Sequence, residues 1–286
     1  MGVVIEFKNV NYAYPLCDAP VIRDMSFKLE EGKFYGVLGR NGAGKTTLCS
    51  LIRGFAPSFY NGVLTGEILI DGKPTVDYGP GELALRIGYV FQNPFNQISG
   101  VKDTVFEEVA FGLENFGVPA EEIERRVIEI MNMTSIDHLA EKKPFELSGG
   151  QQQRMALASI LVLEPDIMVI DEPTSQLDPA GTESVFEIIR GMKLDAKTVI
   201  LVEHKVDLIA EYADEVLVLD AGMLARFGPA NEVLRDESLE RLGVQLPQVA
   251  LLGNRLKELG MPLGVTPVTE SDAVDAIARC IGKGGA

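Results

Sequence analysis

Apolar and polar residues change their spacing several times along the chain, and each change predicts an element. Residues 3–7 (Val-Val-Ile-Glu-Phe) and 25–29 (Met-Ser-Phe-Lys-Leu) read as strands on either side of a turn-rich stretch around Pro15 to Pro20. Lys33 to Leu38 is a third, more apolar strand that runs straight into a glycine-rich stretch, Gly39 to Gly44. A helix is expected from Lys45 to about Gly54, where the glycine can end it. Glu67 to Ile70 before Asp71-Gly72 signals a hairpin, and Arg86 to Phe91 a further strand.

After Gln92 the texture changes. Asp103 to Met133 is acidic and helix-forming, and Ile123, Val127, Ile130 and Met131 fall on one face of an amphipathic helix. Pro119 precedes that helix, and Glu121 and Glu122 suit the positive end of its dipole. The stretch reads as a helical subdomain, about residues 93–163, inserted into an α/β core. Ile167 to Ile170, Val199 to Val202 and Glu215 to Leu219 are short apolar runs separated by helical segments, the pattern of a parallel sheet buried on both faces. Beyond about Gly228 the chain turns helical and leucine-rich, with Leu234, Leu239, Leu242, Leu252, Leu256 and Leu259. Residues 1–228 therefore form the expected core domain and 229–286 a helical C-terminal extension whose last residues, from Gly282, are expected to fray.

The 286 residues suffice for a sizeable core, and 46% hydrophobic with 24% charged residues is a globular rather than a disordered composition. Acids outnumber bases 42 to 26, so a nucleic-acid-coating protein is disfavoured, because neutralising phosphates needs clustered Lys and Arg. Cys17, Cys49 and Cys280 are scattered without a CxxC spacing. That argues against a disulfide framework or a zinc site and for a reducing, cytoplasmic setting. No apolar run approaches the roughly 18 residues of a membrane span, and Met1 to Lys8 alternates like a strand rather than a signal peptide. A role at a membrane would need another protein to hold the chain there.

Three motifs carry chemistry. Gly39-Arg40-Asn41-Gly42-Ala43-Gly44-Lys45-Thr46 fits the phosphate-loop pattern, with a strand before it and a helix after. Glycines let backbone N–H groups curl around phosphates, the helix start adds positive potential, Lys45 reaches the β- and γ-phosphates, and the Thr46 hydroxyl suits Mg²⁺. Ile167-Met168-Val169-Ile170 then ends in Asp171-Glu172. Side chains alternate along a strand, so Asp171 can serve the metal shell while Glu172 polarises an attacking water. An ordinary strand end with solvated acids is the plain alternative, and the preceding phosphate loop makes it the minor one. Leu147-Ser148-Gly149-Gly150-Gln151 combines a capping box with two bare glycines. A structural cap explains Ser148 and Gln151; an anion site at the helix start also explains the glycines.

With these motifs in this order, residues 3 to 228 resemble the ATPase domain of ABC proteins. The resemblance implies a P-loop ATPase fold that binds ATP and Mg²⁺. It implies that Ser148 and Gly150 bind the γ-phosphate of ATP held by a second chain, so that two chains sandwich two nucleotides. It maps Gln92 to the glutamine that senses metal and γ-phosphate, and His204 to the switch histidine. Asp178, in Ser175-Gln176-Leu177-Asp178, maps to the loop joining the two sites, although a small residue is commoner where Gln176 stands. Thr47 belongs to the nucleotide-binding set with Gly39, Asn41, Gly42, Ala43 and Gly44. Tyr14 maps to the aromatic that stacks on adenine, with Tyr12 a close rival.

Phe91-Gln92-Asn93-Pro94, Asn96-Gln97-Ile98 and the run from Thr104 to Gly112, with Leu246-Pro247 in the tail, look like the ATPases of energy-coupling-factor transporters. That branch imports vitamins and transition-metal ions. The likeness implies a second ATPase chain, identical or paralogous, a membrane-embedded transducer subunit, a substrate-binding membrane subunit, and a place on the cytoplasmic face of the cell membrane. It gives the C-terminal extension a part in dimerisation. Glu107, Glu108 and Glu114 are candidates for contacting basic transducer helices, against the plain reading of a solvated acidic face. The competing class is a soluble ABC ATPase of DNA repair or the ribosome. Such proteins usually carry coiled-coil insertions, zinc modules or a second ATPase domain, none of which this sequence contains.

Overall fold

The computed structural model describes residues 2–17 and 19–283. The chain begins with two antiparallel strands, β1 (Val3–Ala13) and β2 (Ile22–Glu30). Both are longer than their apolar cores predict, and the turn-rich stretch around Pro15 to Pro20 lies between them. Next come β3 (Phe34–Leu38), α1 (Lys45–Ile52), β4 (Val63–Ile70), the short β5 (Lys73–Pro74), α2 (Pro80–Arg86) and β6 (Ile87–Val90). Three helices follow, α3 (Val105–Asn115), α4 (Ala120–Met133) and α5 (Gly149–Leu161). Then the α/β alternation resumes with β7 (Ile167–Asp171), α6 (Pro179–Leu194), β8 (Thr198–Val202), α7 (Val206–Tyr212), β9 (Glu215–Asp220) and β10 (Met223–Pro229). The C-terminal segment holds α8 (Ala230–Val233), α9 (Gln248–Glu258) and α10 (Glu270–Lys283). The remainder of the end expected to fray lies outside the described residues.

Two sheets result. One is antiparallel, ordered β2-β1-β4-β5; the other is ordered β10-β9-β3-β8-β7-β6. In the second, β9, β3, β8, β7 and β6 are parallel, and β10 pairs antiparallel with β9 at the edge. Alternation explains why the parallel strands read as continuous apolar runs. Met168 and Ile170 of β7, Val199 and Leu201 of β8, and Val216 and Val218 of β9 enter the core shared with the helices. Their neighbours Ile167, Val169, Ile200, Val202, Leu217 and Leu219 enter the core shared with α1 and the antiparallel sheet. Every one of these side chains is therefore withdrawn from water, each burial contributing about 1.5–3 kcal/mol. On α4, Val127, Ile130 and Met131 are buried and Ile123 packs against the same core, as the 3.6 period requires.

β3 must accept α7 closely. A Cβ on Gly36 would stand 2.5 Å from Cγ2 of Ile209, which is fully buried and has nowhere to swing. Gly36→Ala is expected to cost about 1–3 kcal/mol by overpacking. The melting midpoint, read by scanning calorimetry, should fall by roughly 2–4 °C for each kcal/mol. An unchanged midpoint would show that this helix–sheet contact is loose.

The leucine pattern of the C-terminal segment divides. Leu234 and Leu239 are fully buried in the main core, whereas Leu251, Leu252 and Leu259 are exposed. Among the described residues, no helix is long and apolar enough to cross a membrane.

Candidate active site

The glycine-rich stretch joins the end of β3 to the start of α1. Gly42 and Gly44 adopt φ of +78° and +102°, in the left-handed region where a Cβ is disfavoured. Gly39 is needed for space as well, since a Cβ there would stand 2.5 Å from the carbonyl oxygen of Leu219. Gly44 caps α1 without a side-chain acceptor, so the first N–H groups of the helix remain open toward the cleft. Asn41, Gly42, Gly44, Lys45, Thr46 and Thr47 line that cleft, about 470 Å³, together with Gln92, Glu172 and His204. Gly39 and Ala43 stand behind it: Gly39 accepts from Lys45, and the Ala43 N–H donates to the Arg40 carbonyl at 3.1 Å.

Glu172 is the hub. It follows β7 with φ +47°, and its N–H donates to the Val202 carbonyl at 2.9 Å, which turns the side chain out of the strand and toward the phosphate loop. Oε2 accepts from Gln92 Nε2 at 2.7 Å. Oε1 faces His204 Nε2 at 2.8 Å and Lys45 Nζ at 3.8 Å. Residues separated by up to 159 positions in the sequence, from Lys45 to His204, thus meet on one carboxylate. The Lys45 ammonium also donates to the Gly39 carbonyl at 2.9 Å, so it lies along the loop where phosphate oxygens would be cradled.

Asp171 is the second carboxylate, and it points elsewhere, as strand alternation predicts. It is buried, Oδ2 receives only a long 3.5 Å contact from the Tyr89 hydroxyl, and Oδ1 has no hydrogen-bond partner. Its pKa is raised, chiefly by burial, with the Thr46 hydroxyl opposing the rise, the Glu172 charge adding to it and the Lys45 ammonium opposing it. A buried carboxylate oxygen without a donor costs free energy unless something cationic satisfies it. The oxygen-rich pair of Asp171 and Thr46 beside phosphate positions fits Mg²⁺.

Tyr12 and Tyr14 separate cleanly. Tyr12 is fully buried and its hydroxyl donates to the Asn61 carbonyl, so its ring is a core element. Tyr14 is only partly buried, and its hydroxyl lies 3.2 Å from Thr47 Oγ1, beside the phosphate-loop helix.

Ser148, Gly150 and Asp178 are not in this cleft. They line another one of about 480 Å³, with Gly149, Gln151, Arg154, Gln176 and Leu177 among its walls. Ser148 caps α5 through the expected reciprocal box: its N–H donates to Gln151 Oε1 at 3.0 Å and its Oγ accepts from Gln151 N at 3.4 Å. Asp178 caps α6 by accepting from Gly181 N at 2.7 Å. The two clefts share no lining residue.

The acids proposed for a transducer contact are otherwise engaged. Glu108 is buried and accepts from Ser99 N at 2.6 Å and Ser99 Oγ at 2.8 Å. Glu107 completes the capping box of α3 with Thr104, and Glu114 pairs with Lys102 at 2.6 Å. Glu108 is thereby removed from the candidates: an unshielded carboxylate in that core would be too costly to sit there for a partner.

Residues that the motifs did not reveal also shape the site. Val21 lines the phosphate-loop cleft. Glu203, buried beside His204, accepts from Thr174 Oγ1 at 2.7 Å and from His204 N at 2.9 Å, which fixes the loop carrying the histidine. An acid directly after an apolar strand and before the histidine was the available signal.

Residues 22–175 match the ABC transporter family. An energy-coupling factor transporter ATP-binding protein of Methanosphaera stadtmanae is 37% identical over 286 residues, spanning 97% of this chain and 99% of that one. Among solved structures, cbiO1 from Clostridium perfringens, part of the ABC transporter complex cbiONQ, is similar at 31% identity and a TM-score of 0.73, covering 91% of this chain and 99% of that one. A dimeric ATP-binding cassette in a post-hydrolysis state, bound to ADP and Pi, is similar at 28% identity and a TM-score of 0.69, covering 79% of this chain and 98% of that one.

Proposed function

The chain belongs to the ABC transporter family, and on that premise we propose that it is the ATP-binding, ATP-hydrolysing subunit of an energy-coupling-factor transporter. The observation that carries the reading is the meeting of Gln92, His204 and Lys45 on the Glu172 carboxylate beside the phosphate loop. ATP lies with its phosphates against the N–H groups of Asn41 to Thr47 and its adenine on Tyr14. Tyr14 rather than Tyr12 takes that role because the Tyr12 ring has no free face. Lys45 neutralises phosphate charge. Asp171, Thr46 and Gln92 would hold Mg²⁺, which would offset the negative charge of the phosphates. Glu172 orients the attacking water and takes up its proton, and His204 contacts the γ-phosphate while fixing the Glu172 carboxylate.

Ser148 and Gly150 serve the nucleotide of a second ATPase chain, identical or paralogous, because they occupy a separate cleft from their own phosphate loop. ATP binding closes the pair, hydrolysis reopens it, and the motion drives uptake of a vitamin or transition-metal ion through membrane partners. Residues 1–228 form the ATPase domain, with the helices of about 93–163 as its inserted subdomain. Residues 229–286 form the extension, and the exposed Leu251, Leu252 and Leu259 suit it to chain–chain contact. The subunit sits on the cytoplasmic face of the membrane, held there by a transducer and a substrate-binding subunit.

The test is purification of the tagged chain from gently solubilised native membranes, with identification of what accompanies it. A polytopic membrane protein, with or without a second ATPase, is the expected companion. Recovery only from the soluble fraction, with nucleic acid or ribosomes, would favour the non-transport ABC class instead.

A further inference from the structure

His204 occupies a loop between β8 and α7, and three side chains of that region tie it to its surroundings. Glu203 anchors it to Thr174 on the core side, and Lys205 donates to Thr182 Oγ1 of α6 at 2.9 Å. The third tie runs to the C-terminal extension. Asp207, in the first turn of α7, accepts the Gln248 N–H at 2.8 Å.

That N–H belongs to the opening residue of α9. Its N-cap, Pro247, offers no side-chain acceptor, and the first turn of α9 carries no acid of its own. Asp207 therefore supplies both the acceptor and the negative charge that this helix start lacks. Packing reinforces the bond. Val244 and Leu246, just before α9, are buried in the same core as Val206 and Ile209 of α7. Gly243, with φ +71°, lies close enough to the phosphate loop that a Cβ there would stand 3.3 Å from the Cβ of Arg40. At the other end of α7, Glu211 Oε1 accepts from Glu270 N of α10 at 3.4 Å.

We infer that the C-terminal extension holds His204 against Glu172, acting through Asp207 as a positioning residue. The inference rests on the reading of His204 as a participant in hydrolysis. The bond at Asp207 fixes α7 against α9, and the histidine stands three residues before it on the same short loop-helix unit. A displacement of α9 is thus handed to the 2.8 Å contact between His204 and Glu172. Hydrolysis and the state of the extension are linked through this carboxylate, with the packing of Val244 and Leu246 against α7 holding the two elements in register.

The experiment measures steady-state ATP hydrolysis by the full-length chain in its assembled complex, for Asp207→Ala, Asp207→Asn and His204→Ala. Misplacing a reacting group by about 1 Å can cost up to about 100-fold, so kcat of Asp207→Ala should fall about fivefold or more with KM for ATP within about twofold. Asp207→Asn keeps the acceptor oxygen and should recover kcat to within about twofold of the parent. Asp207 is exposed, so neither variant opens a cavity. An unchanged kcat in Asp207→Ala, a matching rise in KM, or a loss that Asp207→Asn does not repair would overturn the inference. His204→Ala hydrolysing at the parental rate would instead remove the underlying reading of the histidine, a result distinct from any of these.

Discussion

Glu172→Gln will bind ATP and fail to hydrolyse it. The amide has the volume of the carboxylate, and its oxygen can still accept from Gln92 Nε2, now 2.7 Å from Oε2. Its NH₂ then faces His204 Nε2. The site keeps its packing and loses the negative charge that faces Lys45 and, with it, the group that can take a proton from water. General-base removal costs roughly 10²–10⁴ in rate, or about 3–5 kcal/mol of transition-state stabilisation. Phosphate release should therefore fall by at least about 100-fold while the affinity for ATP, followed by displacement of a fluorescent analogue, stays within a few-fold. Hydrolysis near the parental rate inside the assembled complex would remove Glu172 from the chemistry.

Gly150→Asp should be as damaging to turnover and harmless to folding. A Cβ at this position meets nothing nearer than the Gly181 Cα at 3.8 Å, so the side chain has room. Gly150 lies in the first turn of α5, where an acid is favourable to the helix dipole. The same charge spoils the helix start as an anion site, because it replaces the attraction for a γ-phosphate by repulsion. We expect hydrolysis to drop by about 100-fold or more, with ATP binding to the variant's own phosphate loop unaltered and the melting midpoint within about 2 °C. Full activity in this variant would mean that Ser148 and Gly150 cap a helix and do nothing else.

What the sequence disclosed depended on whether the information was local. The phosphate loop, the Asp171-Glu172 pair and the Ser148 capping box are contiguous strings whose geometry follows from their own backbone, and the fold places each at the expected element boundary. The parallel strands were legible because burial on both faces leaves an uninterrupted apolar run. β10 was not, since Met223 to Pro229 is an edge strand with largely exposed side chains and no apolar period. The choice between Tyr12 and Tyr14 needed the tertiary fold, which buries one ring with its hydroxyl on the distant Asn61 carbonyl and leaves the other beside Thr47. Glu108 looked like its exposed neighbours because nothing local announces that Ser99 folds back onto it. The bond from Asp207 to Gln248 joins residues 41 apart and had no signature in either segment.

On the proposed reading, one chain holds two half-sites, neither complete alone. The most direct test records ATP hydrolysis per chain against chain concentration, with molar mass measured on the same samples. Activity per chain should disappear as the protein becomes monomeric and appear only with a second ATPase chain present, whether identical or paralogous. Constant activity per chain at concentrations where the mass is that of a monomer would contradict that reading.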